Sequence, residues 1–130
     1  MATTPQFTTY PNIGLARLSV ANPNRDGTGT IVTLASTGTS GSRFDHVDVQ
    51  ATGTVTAGAV RLFIYNGSSY ALFRETTVTP TTPSSTVQAW NSTWNFSTQN
   101  NDLILPPAYG LGASTNNPEG FNVWAFGGDF

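Results

Sequence analysis

The chain contains no cysteine and no lysine, has a single histidine, and carries charge on only 9% of its residues, against about 25% in an ordinary soluble domain. Without cysteine there are no disulfides and no thiolate metal sites. The five cations are all arginines (Arg17, Arg25, Arg43, Arg61, Arg74), they are scattered, and the net charge is −2. Neutralising a phosphate backbone needs clustered cations, so no nucleic-acid partner is expected. No apolar run approaches the roughly 18 residues of a membrane-spanning helix. The opening residues lack the charged and apolar regions of a secretory signal, so synthesis in a cytoplasm is expected, with no membrane partner.

Catalytic groups are as sparse. Any nucleophile–base pair would have to use His46, whose nearest acids are Asp45 and Asp48. On a strand His46 and Asp48 share a face about 7 Å apart, too far for a direct orienting hydrogen bond without bending. Metal binding needs more ligands than one histidine and dispersed carboxylates. The glycines of Gly27-Thr28-Gly29 lead into a strand, so no helix dipole is available to cradle phosphate. Asn22, Asn24 and Asp26 alternate like the opening of a calcium loop. Pro23 and Arg25 interrupt that pattern and no bidentate glutamate follows, so a hydrogen-bonded turn is the expectation. The reading is of a protein that is not an enzyme and has no cofactor or metal.

What the chain does have is strand periodicity. Val60, Leu62 and Ile64 alternate with Arg61, Phe63 and Tyr65, Asn66-Gly67 follows, and Tyr70 to Thr76 runs back. Apolar alternation on both sides of Asn-Gly predicts a hairpin. Large side chains on both faces of it predict a strand pair with cover on each side. Further strands are expected over residues 13–20, 30–35, 43–52, 87–96, 103–107, 108–114 and 121–126. They are separated by segments rich in Gly, Pro, Asn and Ser, and no segment has helical apolar period. At 130 residues with 38% hydrophobic content, one domain can bury a core unaided. The predicted fold is all-β: an antiparallel β-sandwich of eight or nine short strands, with a jelly roll expected.

Residues 1–12 lack periodicity, with Pro5 and Pro11 bracketing Phe7 and Tyr10, and are read as an extended arm ahead of a sandwich over 13–130. Late in the chain lie Trp90, Trp94, Trp124, Phe126 and Phe130. Alternation cannot bury both Val123 and Trp124 in one interior, so one face of the last strand must meet something outside the core. Phe7, Tyr10, Trp90, Trp94, Trp124, Phe126 and Phe130 are therefore the candidate interface residues.

Three blocks carry a family look: residues 21–30 (ANPNRDGTGT), residues 48–54 (DVQATGT) through 61–64 (RLFI) with Arg74-Glu75, and residues 121–130 (FNVWAFGGDF). Together they resemble small structural proteins of tailed-phage virions, over nearly the whole chain. Comparable small β-sandwich proteins are often capsid decoration, or cement, proteins that bind the outer shell as trimers. The resemblance implies a homotrimer contacting the major capsid protein or other virion proteins, located in the virion after synthesis in the host cytoplasm. It brings no catalytic motif and no binding residue to carry over. A tail, fibre or spike module is the alternative virion role. A carbohydrate-binding sandwich, with Trp90 and Trp94 stacking on sugar rings, is the alternative outside the virion.

Overall fold

The computed structural model describes residues 8–96 and 103–130. Nine strands follow one another: β1 (Tyr10–Leu18), β2 (Val32–Ser36), β3 (Ser42–Ala51), β4 (Gly58–Tyr65), β5 (Tyr70–Val78), β6 (Asn91–Asn95), β7 (Leu103–Leu105), β8 (Gly110–Thr115) and β9 (Phe121–Asp129). No helix occurs among the described residues. One sheet has the order β1-β9-β3-β6, with β7 also paired to β3; the other has the order β2-β8-β4-β5. Every strand pairing within the two sheets is antiparallel, and the sheets pack as a β-sandwich.

The predicted hairpin is the centre of a nested arrangement. β4 pairs with β5, β3 with β6 and β7, β2 with β8, and β1 with β9, so the chain closes outward in layers from the 66–69 turn. That turn is four residues long, because Tyr65 pairs with Tyr70. Asn66 Oδ1 accepts the backbone N–H groups of Ser68 and Ser69, and Gly67 takes φ +96, a conformation a Cβ would strain. Val60 and Leu62 of β4, Leu111 and Ala113 of β8, Val47 and Val49 of β3, and Val123 and Ala125 of β9 fill the interior.

Two bulges shift side chains that simple alternation would misplace. On β3 the register breaks between Phe44 and His46, which leaves Asp45 without a register partner on β9 and turns Phe44 into the core, fully buried. Alternation alone would put Phe44 on the same face as His46. Opposite Leu62 and Phe63 the register breaks again, and Phe73 packs inward against Phe96, with ring centroids 5.8 Å apart.

The N-terminal boundary also moves. Tyr10, Pro11 and Asn12 are not part of an arm preceding the sandwich: they pair with Asp129, Gly128 and Gly127 as the start of β1. Pro11 is tolerated because β1 is an edge strand, where a missing N–H breaks no ladder on the solvent side. Phe7 and the rest of residues 1–7 lie outside the described residues.

Candidate functional site

The outer faces of the two sheets are built differently. On the four-stranded sheet, Arg61 and Phe63 point away from the core yet are 2% and 0% exposed. The segment between β1 and β2 covers them. Ala21 bridges to Thr115 beside β8, and Arg25 reaches Glu75 on β5, so this loop crosses the outer side of β4. Asn22 sets its shape: the side-chain amide donates to the carbonyls of Thr28 (3.0 Å) and Thr30 (2.9 Å), and its Oδ1 accepts the N–H of Asn24 (3.0 Å). Asp26 accepts from the backbone and hydroxyl of Thr28. The hydrogen-bonded turn read from these residues is thus present.

Beneath it, Arg61 donates to Glu75 Oε2 (3.1 Å), the carbonyl of Asn22 (3.0 Å) and Asn116 Oδ1 (3.3 Å). Glu75 accepts from Arg25 as well, at 2.7 and 3.1 Å. Hydrogen bonds from Arg25 hold the Glu75 carboxyl below the ordinary glutamate range, with Arg61 adding to them, while burial opposes the shift. A carboxylate shared by two guanidiniums and a buried arginine with three acceptors is a structural clamp on the loop.

Among the described residues the five-stranded sheet has no such cover over its outer face. The register lines up Ile13, Phe126 and His46 in one row; Leu15, Trp124, Asp48 and Thr93 in the next; and Arg17, Asn122, Gln50 and Asn91 beyond. Ile13 is 61% exposed and Trp124 36%, with Leu15 and Phe126 half-buried. The His46 ring stacks on Phe126 at 4.8 Å, and Trp124 lies nearly parallel to Phe126 at 6.3 Å. In the first two rows apolar groups therefore occupy the β1–β9 half, with Arg17 and Asn122 beyond them, while an imidazole, amides, a carboxylate and a hydroxyl occupy the β3–β6 half. Beside Trp124 a shallow hollow of about 360 Å³ opens between Asp48, Gln50, Asn91 and Thr93.

His46 and Asp48 lean together more than an ideal strand allows, with Nε2 3.7 Å from Oδ2, still longer than a hydrogen bond. Asp48 Oδ1 accepts instead from the Thr93 hydroxyl at 2.8 Å. Among the described residues there is no cluster of three or more His, Asp or Glu side chains placed to hold a metal ion.

The sequence candidates separate on this frame. Trp124 and Phe126 stand together on the open face. Trp90 and Trp94 do not join them: Trp94 pairs with Val47 on the core side of β6, and Trp90 meets Phe121 edge-on at 5.9 Å. Both are half-buried margins of the molecule's own core. Tyr10 is 67% exposed at the start of β1, and Phe130 is half-buried past the end of β9. Ile13 and Leu15 escaped the sequence reading. Their same-face spacing was visible, but only the β1–β9 register places them beside Trp124 and Phe126.

No family model, curated protein or solved structure matches this chain.

Proposed function

We propose that this is a structural protein of a tailed-phage virion, a capsid decoration protein that docks through the outer face of its five-stranded sheet. One observation carries the reading: a patch of apolar side chains over two adjacent rows, with Ile13 and Trp124 exposed and Leu15 and Phe126 half-buried, lies on β1 and β9 beside the polar residues of β3 and β6. Exposed apolar and aromatic side chains beside polar groups are the makings of a docking surface. Covering each such side chain contributes about 1.5–3 kcal/mol, and aromatic anchors tend to dominate contact energies. Repeated around a symmetric shell, a modest contact gains strength through avidity. The family look of the 21–30, 48–75 and 121–130 blocks supplies the virion as the setting. We read the nested strand pairing as jelly-roll winding and the assembled unit as a trimer.

Copy number in purified particles is the first test: hundreds of copies fit a shell protein, and a handful fit a tail, fibre or spike. Binding to empty capsids is the second. Trp124→Asp and Ile13→Asp are expected to weaken capsid binding at least about tenfold, the equivalent of 1.4 kcal/mol, while leaving the fold intact. A stable monomer with no affinity for shells would overturn the proposal. Sugar stacking on Trp90 and Trp94 is not favoured, because both rings lie against the molecule's own core.

A further inference from the structure

The opposite side of the sandwich carries a second feature, independent of the docking face. At the end of the four-stranded sheet near the 66–69 turn, a cleft of about 440 Å³ opens on the outer surface. That volume falls within the roughly 300–1,000 Å³ of small-molecule sites. Its walls are the half-buried rings of Tyr65, Tyr70 and Tyr109, and hydroxyls from Thr33, Ser36 and Thr37. Among the described residues no charged side chain lines it.

The backbone builds the cleft deliberately. β8 carries glycine at its outward positions 110 and 112, which pair with Tyr65 and Phe63. A Cβ on Gly112 would sit 2.5 Å from Tyr70 Cε1 and 2.7 Å from Ile31 Cγ2, so only glycine lets the Tyr70 ring lie across the sheet. That ring crosses from β5 to β2, where its hydroxyl is 3.4 Å from Thr33 Oγ1, and it tilts against Tyr65 at 4.9 Å. The far wall is the 106–109 turn, closed by Tyr109 N–H to the Pro106 carbonyl at 3.3 Å. Ala108 takes φ 70 there, the left-handed region that a type II turn gives to glycine. Thr37 fixes that strained turn, its hydroxyl reaching the carbonyls of Pro106 (3.0 Å) and Tyr109 (3.1 Å) and its N–H reaching Tyr109 again.

We infer that this tyrosine cleft is a binding site for a neutral saccharide. Tyrosine rings offer apolar faces for the C–H side of a sugar ring; the phenols and the Thr33 and Ser36 hydroxyls can donate and accept toward its hydroxyls, and the Thr37 hydroxyl, whose proton is committed to the turn, can accept. The absence of charge disfavours phosphates, carboxylated sugars and cationic ligands, which would be desolvated without a partner. The hydroxyl-rich lining disfavours a purely apolar guest. Walls held by a clamped turn and a glycine-bedded ring lose little freedom on binding.

The test is a titration of the 15N-labelled full chain with cellotriose, maltotriose and N,N′-diacetylchitobiose, alongside trigalacturonate as a charged control. The expected result is saturable shifts at the amides of Thr37, Tyr109, Gly110 and Leu111 with at least one neutral sugar. Tyr65→Ala and Ser36→Trp should each weaken that binding at least about tenfold. Ser36→Trp fills the cleft from an exposed position without removing packing, so it decides the matter should Tyr65→Ala fail to fold. Trp124→Ala should leave sugar affinity unchanged. No saturable shift with any of the three neutral sugars overturns the inference. So do shifts centred on Trp124 and Asn91, or binding that survives Ser36→Trp. A preference for trigalacturonate does the same. A failure here leaves the capsid contact untouched, since that rests on the other sheet.

Discussion

The two outer faces of this sandwich set out from the same sequence problem and reach opposite solutions. β4 and β9 both carry large side chains on each face: Phe63 opposite Leu62 on β4, Trp124 opposite Val123 on β9. On β4 the chain covers its own outer face with the 19–31 loop and the Tyr70 ring, and Phe63 is fully buried. On β9 Trp124 stays partly open beside Ile13 and Phe126. Among the described residues the difference lies in available chain. A loop long enough to cross three strands leads from β1 to β2, with Glu75 and Arg61 in place to fasten it. A surplus of apolar side chains is therefore not itself an interface signal; it becomes one where no described segment of the molecule lies over it.

The sharpest test of this contrast starts in the interior that both sheets share. Val60→Asp would place an unpaired charge in the core, at a cost of several kcal/mol against a total stability of about 5–15 kcal/mol. The expected outcome is loss of the cooperative transition in circular dichroism and an unfolded proton spectrum. On the covered face, Phe63→Ala should destabilise by about 3–5 kcal/mol, read as a lower urea midpoint with little change in m-value.

A smaller effect is expected from acid. Glu75 has its pKa lowered by Arg25 and Arg61, so its contribution is fully present above the unfolded glutamate value and is lost as pH falls through the lower folded value. Asp26 is lowered in the same sense by its hydrogen bonds to Thr28. Urea midpoints should therefore fall on moving from neutral pH into the acid range. Glu75→Gln should flatten part of that fall and leave the Asp26 part. A variant that retains the full acid dependence would show that the clamp does not stabilise the loop.

On the open face the effect on folding should be smallest. Trp124→Ala is expected to cost clearly less than Phe63→Ala, because the Trp124 ring is 36% exposed while Phe63 is fully buried. If Trp124→Ala instead costs as much as Phe63→Ala, the two faces are equivalent and the open surface loses its meaning.

Much of this architecture could be read from the residues alone. Period-two alternation over β3, β4, β5 and β9, with turn formers between strands, determined an antiparallel sandwich and its central hairpin, because side-chain direction on a strand follows from local geometry. The same rule required Val123 and Trp124 to face different surroundings. Only the tertiary structure decided which surroundings those were. The bulge at Asp45 turned Phe44 inward, the edge position of β1 absorbed Pro11, and β6 sent Trp94 to the core margin while β9 sent Trp124 outward. The tyrosine cleft depends on Tyr65, Tyr70 and Tyr109, which come from three separate segments and meet only through the β4–β5 and β4–β8 registers. Local pattern fixes which way a side chain points along its own strand; cross-strand register and loop cover fix what it finds there, and both join residues far apart in the chain.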